Sequence, residues 1–205
     1  MEHLISDLSP KGETARCDIA HRVTGLINRL GRTLHCLQFS EGLNPAQWEA
    51  LRYFARANRY SRTPSALADY LGTTKGTVSQ TIKALEAKGL VDRVPHNRDR
   101  RAVLLQTTPA GDATLERDPM KRIELLAGDL VDELPAARDF LQRLVTGLQQ
   151  NEATSGFGVC EECTHFCKNA VGLEAEAPHR CGLTGDPLTQ GDSAKICVNH
   201  HCGRS

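Results

Sequence analysis

The chain has 205 residues, with 25 basic and 25 acidic side chains, so its formal net charge at neutral pH is zero. No apolar run is long enough to span a bilayer and no secretory signal follows Met1, so we expect a cytoplasmic protein without membrane contact. The sequence contains no paired-carboxylate motif, phosphate-binding glycine loop or nucleophile elbow, and nothing in it indicates an enzyme.

Helical patterns dominate the first part of the chain. Residues 1–13 are polar, and we expect them to form a flexible N-terminal arm. Between residues 14 and 39, apolar side chains recur at spacings of three and four, which predicts a long amphipathic helix. Residues 46–57 repeat this pattern in a shorter helix. Its inward face is predicted to carry Trp48, Leu51 and Phe54.

The next segment has the pattern of a helix-turn-helix. Residues 65–72 predict a short helix that ends at a glycine, and residues 73–89 predict a second helix. Thr73 or Thr74 can cap the second helix, and Gly89 can end it in a left-handed conformation. Its buried face is predicted to carry Val78, Ile82 and Leu85. The side chains that point away from that face suit a major groove, and they are Lys75, Gly76, Ser79, Gln80 and Lys83.

A basic hairpin follows. Residues 90–94 and 102–107 predict two strands, joined by a polar turn at residues 95–101 that carries three arginines. Between residues 52 and 101 there are eleven basic against four acidic side chains, so positive charge is concentrated in this part of a neutral chain. Such a concentration beside a helix-turn-helix pattern indicates a nucleic-acid partner. A helical hairpin with a solvated basic face is the alternative interpretation.

Two further helices are predicted after the hairpin. Residues 109–133 have the pattern of one long helix, bent near Pro119, and residues 135–151 predict a last amphipathic helix. The first and last predicted helices are longer than a winged domain needs. From the residues alone they can belong to one self-contained helical core.

Several motifs in this region resemble the multiple antibiotic resistance regulator (MarR) family of bacterial transcription factors. The resemblance covers about residues 15–150. The motifs that carry it are Asn44-Pro45-Ala46-Gln47-Trp48, Leu67-Ala68-Asp69, Thr77-Val78-Ser79, Leu85-Glu86-Ala87-Lys88-Gly89-Leu90-Val91, and Asp99-Arg100-Arg101 followed by Thr107-Thr108-Pro109-Ala110-Gly111. The resemblance implies a mainly α, winged helix-turn-helix fold with a small β-hairpin wing. It also implies a homodimer, formed by the long terminal helices, on double-stranded DNA with a palindromic operator.

The resemblance also implies roles for single residues. Asp99 is expected to brace Arg101, and either Arg98 or Arg100 is expected to enter the minor groove. Gly76 departs from the family, which usually has a side chain at this position. The complete set of predicted DNA-contacting residues is Thr74, Lys75, Thr77, Ser79, Gln80, Lys83, Arg98, Arg100 and Arg101.

The composition changes after residue 151. Six of the eight cysteines lie between Cys160 and Cys202, interspersed with four histidines and few large apolar residues. A segment of about fifty residues with so small a core needs an additional constraint to fold. Disulfides and a disordered tail with idle thiols are alternatives, but cytosolic thiols are kept reduced, so a bound metal is the favoured interpretation.

The cysteine spacing favours an iron–sulfur cluster, with zinc as the alternative. Two cysteines form a CxxC pair, and single cysteines follow after gaps of seventeen and fifteen residues. This order resembles the four-cysteine framework of high-potential iron–sulfur proteins and of small iron–sulfur subunits with CxxCxxF, in which Phe166 would hold the aromatic place. The predicted ligands are Cys160, Cys163, Cys181 and Cys197. Cys167 and Cys202 are candidates for a replacement ligand or a thiol sensor, and a zinc site could use His200 or His201.

These patterns divide the chain into three parts. We predict an arm at residues 1–13, a winged-helix and dimerisation domain at residues 14–152, and a small, irregular, metal-bound cysteine-rich tail at residues 153–205. The predicted function is a sequence-specific DNA-binding regulator that responds to redox state or iron through a 4Fe–4S cluster in the tail. The alternatives are a regulator with a purely structural zinc module and an electron-transfer adjunct.

Overall fold

The computed structural model of the chain describes residues 10–95, 103–149, 156–170 and 175–201. Four helices come first: α1 (Pro10–Leu37), α2 (Pro45–Arg56), α3 (Pro64–Leu71) and α4 (Lys75–Ala87). A two-stranded hairpin follows, formed by β1 (Val91–Pro95) and β2 (Val103–Thr107), and then α5 (Pro109–Leu115), α6 (Met120–Gly128) and α7 (Leu134–Gln149). The helix α1 begins at Pro10, inside the segment for which the sequence predicts an arm.

Local capping determines where α2 begins. The side chain of Asn44 accepts a hydrogen bond from the backbone N–H of Gln47 at 2.9 Å, and the side chain of Gln47 accepts one from the backbone N–H of Asn44. Pro45 occupies the first helical position, where its missing N–H costs no hydrogen bond. The Asn-Pro-Ala-Gln motif is therefore a capping box.

The helices α3 and α4 form the predicted helix-turn-helix. Thr63 caps α3, and Gly72 ends it in the left-handed conformation with φ of 59°. Of the two threonines proposed as caps for α4, Thr74 has this role, since its side chain accepts a hydrogen bond from the backbone N–H of Thr77 at 3.1 Å. Gly89, with φ of 66°, follows the end of α4 as predicted.

The hairpin is antiparallel, with Arg93 opposite Leu105 at its centre, and it leads directly into α5. The close approach of Gly111 to the backbone of Leu90 explains why the Thr-Pro-Ala-Gly motif has a glycine. A Cβ atom at this position would lie 2.2 Å from the backbone oxygen of Leu90, well inside the contact distance of the two atoms. A residue with a side chain therefore forces β1 and α5 apart.

The prediction of one helix over residues 109–133 is wrong. The helix breaks between α5 and α6 because Pro119 has no N–H to donate to the preceding turn. Asp118 stabilises the break: its Oδ1 accepts from the backbone N–H of Met120 at 2.8 Å. The guanidinium of Arg52 also binds both carboxylate oxygens of Asp118, at 2.6 and 2.8 Å.

The core lies between α2, α3, α4 and the hairpin. Residues predicted to face inward do so: Trp48, Leu51 and Leu85 are fully buried. In contrast, the apolar stripes of α1, α6 and α7 face solvent in the single chain. Their exposed members include Ile19, Leu26, Leu30, Leu125, Leu126, Phe140, Leu141, Leu144 and Val145.

The cysteine-rich tail contains more regular structure than predicted. Two strands, β3 (Gly158–Val159) and β7 (Ile196–Cys197), pair antiparallel. A second small sheet has the order β4 (Phe166–Cys167), β5 (His179–Cys181) and β6 (Pro187–Leu188), and α8 (Gln190–Ser193) follows it. The prediction of an irregular tail is wrong because strands of two or three residues, paired across sequence gaps, leave no periodic pattern.

The tail also packs against the winged-helix core. Ile196 is buried within the same hydrophobic cluster as α2 and α4, and Phe157 and Val198 pack against that cluster. Ile196 forms a parallel bridge with Ala57, just after α2. Part of the constraint that the tail needs is therefore supplied by the rest of the chain.

Candidate functional site

The helix α4 presents two distinct faces. Val78, Ile82 and Leu85 are buried as predicted, and they hold α4 against α2 and α3. Ser79 is half-buried, whereas the other predicted contact residues of this helix are exposed: Thr74, Lys75, Thr77, Gln80 and Lys83. The arrangement leaves a polar and basic surface without large apolar side chains, which suits contact with nucleic acid.

Two of these residues also bond to each other. The hydroxyls of Thr74 and Thr77 lie 2.9 Å apart, in addition to the bond from the backbone of Thr77 to the cap. Gly76, beside them, has ample room for a side chain, since a Cβ atom there would meet only the hydroxyl of Thr74 at 3.7 Å. The glycine at this position is therefore not required by the packing of the chain itself.

The strands β1 and β2 flank the segment for which the sequence predicts the basic turn. Arg93 on β1 pairs with Glu86 on α4, which ties the hairpin to the helix. The predicted contact residues Arg98, Arg100 and Arg101, and the predicted brace Asp99, lie outside the described residues.

The four predicted cysteine ligands come together around one cavity. Cys160 and Cys163 stand at either end of a short 3₁₀ turn after β3, Cys181 ends β5, and Cys197 ends β7. All four line a small cavity of about 20 Å³. Its apolar walls include Phe166, Leu183 and Leu188. We call this space the cysteine cavity.

The thiols do not converge on one point. Among residues 10–95, 103–149, 156–170 and 175–201, no three His, Cys, Asp or Glu side chains are arranged to hold a single metal ion. The seven cysteines in these ranges are free thiols. The donor set is therefore a group of thiols around one cavity.

Hydrogen-bond donors point at the cysteine sulfurs. The side-chain amide of Asn58 donates to Cys160 Sγ at 3.6 Å, and the backbone N–H of His201 donates to Cys163 Sγ at 3.5 Å. The backbone N–H of Asn199 donates to Cys197. Such donors stabilise thiolates, the form that binds metals.

Cys160 and Cys197 interact directly. A hydrogen bond from the thiol of Cys160, supported by Asn58 and the backbone of Asn199, lowers the pKa of Cys197 to about 6 against the opposing effect of burial. The same bond to Cys197, together with burial, raises the pKa of Cys160. Adjacent thiols that share a proton divide in this way, so that one is readily a thiolate.

Of the additional candidates, Cys167, His200 and His201 do not line the cysteine cavity. Cys167 is exposed, and its sulfur lies 3.9 Å from the backbone oxygen of His165. His200 is buried, and its Nε2 has no hydrogen-bond partner among the described residues. His201 is exposed and contacts Cys163 only through its backbone. Cys202 is not among the described residues.

Three functional residues escaped prediction because they lie on the loop between α2 and α3. Asn58 contacts Cys160, Ser61 accepts a hydrogen bond from the backbone N–H of Val198 at 2.8 Å, and Tyr60 lines the cysteine cavity. Tyr60 also donates to Asp186 and lies 3.1 Å from the hydroxyl of Thr184. No motif or spacing marks these loop residues, since their partners are more than a hundred positions away.

The winged-helix part of the chain is similar to known proteins. A sequence model of the MarR family matches residues 41–102. An HTH-type transcriptional regulator of Mycobacterium tuberculosis is 31% identical over 116 residues, which cover 57% of this chain and 80% of that protein. The chain belongs to the MarR family. It is also similar to the uncharacterized HTH-type transcriptional regulator YdgG of Bacillus subtilis, with 41% identity over 56 residues, 26% of this chain and 37% of YdgG.

Solved structures have the same fold. The structure of Streptococcus pneumoniae FabT in complex with DNA superposes with a TM-score of 0.54 at 23% identity, over 67% of this MarR-family chain and 99% of FabT. A mutant of MepR from S. aureus gives a TM-score of 0.51 at 19% identity, over 63% of this chain and 98% of MepR. FabT and MepR are matched almost completely, so this MarR-family chain is longer than the fold they share.

Membership of the MarR family makes the chain a DNA-binding transcriptional regulator and not an enzyme, as the sequence predicts. Within the part of the chain that the structure describes, no helix has the length and apolar character needed to cross a membrane.

Proposed function

We propose that this MarR-family protein binds a palindromic operator as a homodimer and carries in its tail a 4Fe–4S cluster that reports iron supply or oxidants. The observation that carries the second half of the proposal is the convergence of four cysteine side chains on one cavity. The first half rests on the exposed face of α4 and on the family.

The exposed apolar stripes support the homodimer. A helix normally buries its apolar stripe, yet those of α1, α6 and α7 face solvent in the single chain. Contiguous exposed apolar surface of this kind marks an interaction site. A second copy of the chain covers these stripes if the terminal helices interleave, and this pairing places two α4 helices on successive major-groove half-sites.

DNA contact through α4 follows from its geometry. Lys75, Gln80 and Lys83 project from the exposed face, where they can reach phosphates and base edges. Two α4 helices and two basic wings together neutralise many phosphates, so operator affinity should fall steeply as salt rises. The predicted wing contacts of Arg98, Arg100 and Arg101 with DNA, and the brace by Asp99, are part of this proposal.

The spacing of the four cysteines, a CxxC pair followed by two single cysteines, favours an iron–sulfur cluster over zinc. Four thiolates are the usual ligands of a 4Fe–4S cluster, which itself occupies the space between them. A single zinc ion needs all four sulfurs about 2.3 Å from one point. Four cysteines line the cysteine cavity, and amide donors at Cys160 and Cys163 suit the sulfurs of a cluster.

The regulatory part of the proposal is a coupling between cluster and operator. Gain or loss of the cluster changes how the tail packs on the winged-helix unit, and a bias of about 1–3 kcal/mol between two states changes operator affinity about 5–150-fold.

Anaerobic purification tests the cluster directly. We expect a brown protein with broad visible absorption and about four iron atoms per chain. Cys163→Ser should abolish the colour while the helical content is retained, and Cys167→Ser, which alters an exposed thiol outside the cavity, should keep it. A colourless protein with stoichiometric zinc supports the structural module instead, and full iron content in Cys163→Ser refutes the ligand set.

Fluorescence anisotropy with double-stranded oligonucleotides tests the DNA half. The loaded protein should bind duplex DNA at low ionic strength and select one sequence from a randomised pool. Failure to bind any duplex under these conditions refutes the proposal, whatever the metal content.

A further inference from the structure

We propose that the loop at residues 57–63, which joins α2 to α3, transmits the state of the cysteine site to the DNA-binding helices, with Asn58 and Ser61 as its positioning residues. This inference rests on the proposed function. It assigns the regulatory contact to the winged-helix unit and not to the terminal helices. We call residues 57–63 the docking loop.

The first step runs from sulfur to loop. Asn58 is 3% exposed, and its amide N–H donates to Cys160 Sγ. Its side-chain oxygen accepts from the hydroxyl of Ser61 at 2.7 Å and from the backbone N–H of Tyr60 at 3.0 Å. Both ends of the side chain are therefore engaged, and Asn58 cannot move relative to Cys160 without breaking a buried bond.

The second step joins the loop to another cysteine. Ser61 is fully buried, and its hydroxyl accepts from the backbone N–H of Val198, the residue after Cys197. The backbone N–H of Asn58 donates to the carbonyl oxygen of Ile196 at 2.9 Å, on the other side of Cys197. The docking loop is therefore hydrogen-bonded to the residues on both sides of Cys197 as well as to the sulfur of Cys160.

The third step runs from the loop to the helix-turn-helix and the wing. The carbonyl oxygen of Ser61 accepts from the hydroxyl of Tyr53 on α2 and from the backbone N–H of Thr63, both at 2.8 Å. Thr63 is the N-cap of α3, which packs on α4. The backbone oxygen of Arg62 accepts from the N–H of Leu105 on β2 at 2.8 Å. A displacement of the loop therefore moves the start of α3 and one strand of the wing.

The alternative is that the terminal helices transmit the state of the cysteine site, but they have weaker contacts with the tail. Among the described residues, the ion pair of Arg138 on α7 with Glu162, at 3.0 Å, is the hydrogen-bonded contact between that helix and the tail. Both side chains are more than half exposed, and such pairs contribute little because water screens them. The buried contacts of Asn58 and Ser61 outweigh it.

The test compares the operator affinity of the loaded and the cluster-free full-length protein, in wild type and in three variants. Asn58→Leu keeps the side-chain size and removes the hydrogen bonds, and Ser61→Ala removes one hydroxyl. Arg59→Ala is the matched control: it lies on the same loop and contacts Pro187 and Asp192 of the tail, but it touches neither cysteine.

In wild type and Arg59→Ala, we expect the operator affinities of the loaded and the cluster-free protein to differ by about tenfold. This ratio is within the usual range of allosteric coupling. In Asn58→Leu and Ser61→Ala the ratio should fall below about twofold. Asn58→Leu should also shift the reduction potential of the loaded centre, because it removes an N–H···S hydrogen bond. Circular dichroism and iron content check that each variant is folded and loaded.

Amide hydrogen exchange of the wild type gives the structural readout. Loss of the cluster should increase exchange in residues 57–63 and at the start of α3. A loaded wild type whose ratio is unchanged in both variants overturns the inference, as does a change in exchange confined to α1, α6 and α7. A wild type that binds no iron overturns the proposed function as well, and the iron assay separates that failure from the first two.

Discussion

The packing of the tail against the winged-helix core can be tested by substituting Ile196. This side chain belongs to β7 in the tail, yet it is 6% exposed and lies in the core cluster formed by α2 and α4. Ile196→Ala removes three carbon atoms, at about 0.8 kcal/mol each, or about 2.4 kcal/mol of lost burial. The cavity left behind brings the expected loss to about 3 kcal/mol, within the usual 2–5 kcal/mol for this substitution.

The single tryptophan makes the assay specific. Trp48 is fully buried in α2, so its fluorescence reports on the winged-helix unit and not on the tail. If tail and core unfold together, Ile196→Ala should lower the unfolding temperature measured at Trp48 by about 6–12 °C. Wild type and variant must be compared at equal protein concentration and iron content, because dimerisation and ligands shift apparent stability.

Lys168→Ala is the control, since it truncates a long, exposed side chain of the tail that does not line the cysteine cavity. It should change the free energy of unfolding by no more than about 0.5 kcal/mol. An Ile196→Ala protein with an unchanged Trp48 transition, and a separate, weakened transition of the tail, would show that the tail is an independent unit.

Four further expectations follow from particular contacts. Lys83→Ala should reduce the salt dependence of duplex binding by about 0.9 in slope, the contribution of one phosphate contact, in an anisotropy titration against salt. Gly111→Ala should lower stability by about 1–3 kcal/mol in urea denaturation, because its new Cβ atom meets the backbone oxygen of Leu90. Leu144→Asp, which places a charge on the apolar stripe of α7, should shift the protein from dimer to monomer in sedimentation velocity. Burial and the hydrogen bond to Asp186 raise the pKa of Tyr60 from 10 to about 12, so the stability that its protonated hydroxyl contributes is present below pH 10 and lost as the pH rises to 12. Tyr60→Phe should flatten the loss of stability over this pH interval, measured by chemical denaturation.

Each of these expectations has a contrasting outcome. Lys121→Ala on α6, away from the proposed DNA-contacting face, should keep the wild-type salt slope, and an equal drop in both variants would show a general charge effect. Gly191→Ala meets only a hydroxyl at 3.7 Å and should be tolerated. A dimeric Leu144→Asp protein would place the interface elsewhere. Identical pH profiles for wild type and Tyr60→Phe would assign the alkaline loss to other groups.

Local rules made much of this fold predictable. The buried faces of α2 and α4 follow from apolar spacing, and their ends follow from residues such as Asn44, Thr74 and Gly89, whose capping roles depend only on near neighbours. The wing strands were predictable for the same reason, whereas the role of Gly111 depends on its contact with the backbone of Leu90. The four cysteines were predicted as ligands from residue type and spacing, and in the structure they line one cavity.

Other features depend on partners that are distant in sequence. The helix predicted over residues 109–133 is interrupted at Pro119. The adjacent Asp118 is bound by Arg52, which is distant in sequence on α2. The short tail strands form only because residues across long gaps pair with them.

The amino-acid sequence by itself determined the buried faces and the caps of α2 and α4 and the wing strands, because these depend on residues a few positions apart, and it determined the set of thiols by residue type. Only the tertiary structure decided that the thiols border the loop between α2 and α3. Asn58 and Cys160 are 102 positions apart, and both are ordinary residues until burial in a shared core removes water from between them. Side chains that are unremarkable along the chain then become the contact between the cysteine site and the DNA-binding helices.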